Sequence, residues 1–154
     1  MKHLTTIFSA LVLTTAIHAA TLDFGDHTSS TITTKAWDAF NAGKHDEAIG
    51  YANKCIELYQ AKAEEMQKAL KAPVPSDQIE EVHKQWALND VGTCLFILGQ
   101  TLEKQNKGPE ALAAYKKLVE KVSFAQTWDT KGWFWKPADA AKERIKALEF
   151  DTLK

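Results

Sequence analysis

Two apolar stripes of helical period, parted by a pair of prolines, constrain this chain more than any other feature. From Ile49 the apolar residues run Ile49, Ala52, Ile56, Tyr59, Ala63, Met66 and Leu70. The steps of three and four describe one face of an α-helix. The segment KAPVPS ends that face, because Pro73 and Pro75 lack a backbone donor and crowd the preceding turn. A second stripe, Ile79, Val82, Trp86, Val91, Leu95, Leu98 and Leu102, predicts a helix over 78–106, opened by Asp77 and Glu80 as a capping box. Two long helices joined by a tight turn lie antiparallel. Residues equally far from the turn then share a level: Leu70 with Ile79, Ala63 with Trp86, Ala52 with Leu98. A small alanine facing a large indole gives the complementarity that a packed seam needs.

The remainder is also helical in pattern. Asn106-Lys107-Gly108-Pro109 forms a second turn, since Gly108 tolerates positive φ and Pro109 suits the first turn of a helix. The helix it opens runs to about Val122. Pro137 opens a last one to about Phe150, with Ala141, Ile145 and Leu148 on one stripe. No stretch alternates with period two, so no sheet is expected.

The first residues place a basic start, Lys2 and His3, before an apolar run and small residues at Ala19 and Ala20. That order is expected of a secretory signal peptide over 1–20, and the run is too short to span a bilayer. The mature chain is therefore expected to be exported, to the periplasm or the cell exterior, with no stable membrane insertion. Residues 21–30 read as a solvated polar lead-in and 31–150 as one helical domain. The chain carries 19 basic against 20 acidic residues without a block of either sign, which argues against a nucleic-acid partner.

The stretch LFILGQTLEKQNKGPEALAAYKKL carries Leu95, Leu98, Gly99, Leu102, Ala111, Tyr115 and Leu118. It resembles the tetratricopeptide repeat, in which two helices close on small residues at fixed points, here Gly99 and Ala111. A weaker copy precedes it in KAWDAFNAGKHDEAIGYANKC, with Ala36, Phe40, Ala48, Ala52 and Cys55. The resemblance implies an all-α stack of antiparallel helix pairs with an extended central hairpin and a C-terminal capping helix. It implies a concave face for a partner protein or peptide, no catalysis and no cofactor. In this sequence that face would be lined by Thr33, Trp37 and Phe40 from the first pair, and by Phe96, Gln100 and Glu103 from the second.

No catalytic or metal-ligating pattern stands out. Among the histidines there is no H-E-x-x-H, and there are no paired cysteine ligands. Cys55 and Cys94 share a level on the two long helices. They are either small core residues or, in an oxidising compartment, a disulfide. The segment SFAQTWDTKGWFWKPAD holds Trp128, Trp133 and Trp135 beside Phe124 and Phe134. It reads as an aromatic plug beneath the last helix. The alternative is a stacking surface for a carbohydrate, built from Trp128, Trp133 and Trp135.

Overall fold

The computed structural model describes residues 21–151; the expected signal peptide lies outside the described residues. The described chain is mostly helical, as the two stripes require. Helix α1 (Ser29–Asn41) starts where the Thr28 hydroxyl accepts from the Thr31 amide, satisfying one orphan donor of the first turn. Helix α2 (His45–Ala69) places Asp46 and Glu47 in its first turn and Lys68 in its last, the charge order the helix dipole favours. It ends at Leu70, two residues short of the proline pair.

The second long helix departs from expectation. It divides into a short α3 (Ile79–Lys84) and α4 (Trp86–Lys104), with Gln85 outside helical geometry between them. The side chain of Asn89 holds the break, because its Nδ2 donates to the Val82 carbonyl at 2.7 Å. The expected capping box is absent: Gln78 is the N-cap of α3, and no side chain caps it. As a result Ile79 and Trp86 leave the seam and are exposed, while Ala63 stays fully buried. Trp86 instead meets Tyr59 edge-on, with ring centroids 5.7 Å apart.

Helix α5 (Gly108–Lys121) follows with Pro109 in its first turn. A small antiparallel sheet then overturns the expectation of none. Strands β1 (Thr127–Asp129) and β2 (Trp133–Trp135) pair Thr127 with Trp135, Trp128 with Phe134 and Asp129 with Trp133. The turn between them is closed by the Gly132 amide donating to the Asp129 carbonyl, with Gly132 at φ +103°, a conformation that favours glycine. Helix α6 (Pro137–Asp151) completes the described chain.

Helix α4 is the axis of the molecule. It packs against α1, α2, α5, α6 and β1, and is accordingly buried along nearly its whole length, from Ala87 through Leu102. Such a helix must be apolar on most sides. Gly99 lets α5 approach: a Cβ there would run into the ring of Tyr115. Ala111 is fully buried. Lead-in residues 21–28 are mostly exposed, yet anchored to the fold. Leu22 and Phe24 pack on the core, Phe24 meets Tyr51 edge-on at 5.8 Å, and the Tyr59 hydroxyl donates to the His27 carbonyl at 2.6 Å.

Candidate functional site

A cleft of about 360 Å³ opens where α1, the α3–α4 break and the β-hairpin converge. Helix α1 contributes Ser30, Thr33 and Trp37, and α3 contributes His83. From the start of α4 come Trp86, Asn89, Asp90 and Thr93, spaced three, four and seven residues apart and so on one helical face. Gln126, Thr127, Trp128 and Phe134 close the far wall. The volume lies within the range of small ligand sites, about 300–1,000 Å³.

The hairpin register separates the aromatic segment into two faces, since side chains alternate along a strand. Trp128 and its partner Phe134 meet at 4.9 Å and face the cleft, where Phe134 also meets His83 at 5.6 Å. Trp135 turns the other way and packs edge-on against Phe96 at 5.2 Å. Trp133 sits at the hairpin tip, 50% exposed, beneath the Lys131 ammonium. The segment is therefore neither a plug throughout nor a single platform. Trp135 seals, Trp128 lines the cleft at 49% exposure, and the three rings share no common face. The expected stacking set of Trp128, Trp133 and Trp135 gives way to Trp37, Trp86, Trp128 and Phe134.

Most polar groups around the cleft are already engaged. Asn89 Oδ1 accepts from the Gln126 amide at 2.9 Å, and Gln126 Nε2 donates to the Val74 carbonyl at 2.6 Å. The Thr93 hydroxyl donates to the Asn89 carbonyl at 2.8 Å and lies 2.6 Å from the Thr127 hydroxyl. These bonds tie the proline turn, the helix break and the hairpin into one frame. Thr33 turns its hydroxyl to the thiols behind the cleft, 3.2 Å from Cys94 Sγ and 3.6 Å from Cys55 Sγ. Both cysteines are unbonded and fully buried. Burial, and next the neighbouring Cys55, hold the Cys94 thiol well above its ordinary pKa.

Asp90 is the one carboxylate of the described residues in the lining. Its Oδ2 accepts from the Ser29 hydroxyl at 2.5 Å, and no cation pairs with it among the described residues. Burial raises its carboxyl above the ordinary range, against the opposing effect of the Ser29 bond. Among the described residues no lysine or arginine lines the cleft.

Of the six residues expected on a concave face, two line this cleft, Thr33 and Trp37. Phe40 lies beside Trp37 at 5.7 Å, with the Lys104 ammonium 5.5 Å from its ring. Gln100 is half-buried further along α4. Phe96 is a core residue between Tyr115 and Trp135. Glu103 is taken up by a structural clasp, accepting from the Tyr115 hydroxyl at 2.6 Å and from Arg144 Nε at 2.9 Å, with a second ion-pair contact to Arg144 Nη2. Sequence reasoning missed His83, Trp86, Asn89, Asp90, Thr93 and Phe134 as members of one site. The available signal was the polar pair Asn89-Asp90 near the start of an otherwise apolar helix. No helix among the described residues is long and apolar enough to cross a membrane. Comparison of the chain with protein-family models, with curated proteins and with solved structures finds no match.

Proposed function

We propose that this chain is a non-catalytic interaction module of the tetratricopeptide type. It is exported to the periplasm or the cell exterior and holds a segment of a partner protein across the face shared by α1 and α4. The observation that carries the reading is the aromatic cleft at one end of that face, where four large rings stay accessible inside a frame of satisfied hydrogen bonds. Keeping large apolar rings in an open cleft forgoes burial that would stabilise the fold. Occupation by a partner restores it.

The order of helix contacts supports the repeat reading. Helix α1 packs on α2 and on α4, α4 on α5 and α6, and α5 on α6. Each pair thus leans on the first helix of the next, as stacked helix pairs do. Export rests on the charge and apolar order of 1–20. The carbohydrate alternative is weaker here, because a sugar needs several free donors and acceptors, and the amides and hydroxyls of this cleft are mostly committed to the protein.

The test is affinity purification of the tagged full chain from its native envelope fraction, beside the Trp86→Ala/Trp128→Ala variant. Both rings are about half exposed, 42% and 49%, so their removal should leave the fold intact by circular dichroism. A partner is expected to co-elute with the wild type and to be lost with the variant. Equal recovery with both proteins would place the binding face elsewhere.

A further inference from the structure

The cleft combines two features that are unfavourable apart and complementary together. Trp37, Trp86 and Trp128 line it with aromatic rings. Between them stands one half-buried carboxylate, Asp90, whose protein partner is a single neutral hydroxyl. A purely apolar guest would strand that carboxylate without water, which is costly. An anionic guest would meet repulsion from Asp90, and His83 is the one basic side chain of the described residues in the lining. A neutral polyol could accept from the indole N–H groups but would leave the carboxylate's charge uncompensated. A cation satisfies both features, since it pairs with the carboxylate and is attracted to the electron-rich ring faces. Among biological cations the guanidinium is planar, weakly hydrated and able to stack while donating to a carboxylate. It therefore loses less on leaving water than an ammonium does.

We infer that the cleft receives an arginine side chain of the partner segment, its guanidinium donating to Asp90 and lying against the indoles of Trp37, Trp86 and Trp128. This rests on the proposed partner-binding reading and gives that partner a chemical signature: a basic residue at the anchoring position. Asn89 positions the walls, because both ends of its side-chain amide are spent on the frame, while Gln126 is tied to the proline turn through its Nε2.

The experiment titrates the full chain with Nα-acetyl-arginine amide, following indole emission and the indole N–H resonances. Nα-acetyl-citrulline amide, of nearly the same shape and uncharged, and Nα-acetyl-lysine amide serve as comparisons. Saturation by the arginine probe with Kd on the order of 1 mM is expected, with at least ~10-fold weaker binding of the citrulline probe and weaker binding of the lysine probe. Asp90→Asn keeps an acceptor for Ser29 and removes the unpaired charge, so it should fold as well as the wild type. It should nevertheless lose ~10-fold or more in affinity for arginine. Trp128→Ala, on the half-exposed hairpin face, provides a second variant with the same expected loss. Equal binding of citrulline, unchanged affinity in Asp90→Asn, or no saturation by a folded wild type would each overturn the inference. A partner recovered equally with wild type and Asp90→Asn, yet lost with Trp86→Ala/Trp128→Ala, would overturn it while leaving the partner-binding reading in place.

Discussion

Gly99 shows how much a single missing methyl decides. The ring of Tyr115 occupies the space where a side chain at 99 would begin, and Tyr115 is itself fully buried, so it has nowhere to retreat. Alanine would raise intrinsic helix propensity by ~1 kcal/mol, yet the collision outweighs that gain. Gly99→Ala is expected to destabilise by ~1–3 kcal/mol and Gly99→Leu by more. Thermal unfolding followed by circular dichroism measures both. Gly108→Ala is the matched control, because its Cβ would meet only Leu148 at 4.0 Å, and its melting should stay close to wild type. Gly99 was legible from sequence as the small residue amid the apolar stripe of Leu95, Leu98 and Leu102. Asp90 was not, because its meaning comes from rings donated by other segments.

At the level of elements, Glu103 clasps three helices. It projects from α4, accepts the Tyr115 hydroxyl of α5 and pairs with Arg144 of α6. Burial alone would raise its carboxyl; the bonds from Arg144 and Tyr115 outweigh that and hold it below the ordinary range. A carboxyl with a depressed folded pKa contributes stability above its unfolded pKa and loses it as pH falls through the folded one. The clasp is therefore intact at neutral pH and released in acid. Glu103→Ala should cost ~1–3 kcal/mol, because it strands the Tyr115 hydroxyl. Arg144→Ala, which removes a half-exposed partner, should cost under ~1 kcal/mol. Urea unfolding at pH 7 and pH 3 checks both: the Glu103→Ala deficit is expected to shrink at the lower pH. The limits of the sequence also show at this scale. The long antiparallel helices were legible because seven apolar residues keep step over six turns and two prolines mark the bend. The break at Gln85 was not, since no glycine or proline marks it and the bond that stabilises it comes from Asn89. The β-hairpin was hidden because strands of three residues are too short to display a period of two.

Across the whole molecule, the buried thiols of Cys55 and Cys94 join the first helix pair to the second through the Thr33 hydroxyl. They are unbonded in the structure; oxidation to a disulfide would close a loop of about 40 residues. That bond would stabilise by roughly 4 kcal/mol, chiefly by restricting the unfolded ensemble. Thiol titration in denaturant, before and after reduction, decides the matter; two reactive thiols before reduction would exclude the bond. The same breadth explains why the candidate site was only partly legible. Thr33 and Trp37 were expected on one face and Trp128 in a separate aromatic set, but no spacing rule links α1 to a hairpin nearly a hundred residues away. Those distances also set the order of events in folding. Contacts between remote segments form late, since loop closure precedes any return from them. A two-stranded hairpin has little stability of its own, so its wall must wait for α4 and the proline turn to be in place. A chain released from synthesis in order from its first residue can assemble α1, α2 and α4 while Phe134 is still missing. The cleft then comes into existence only after α1, α2 and α4 have assembled, and a partner that requires it engages only a chain folded as far as the hairpin.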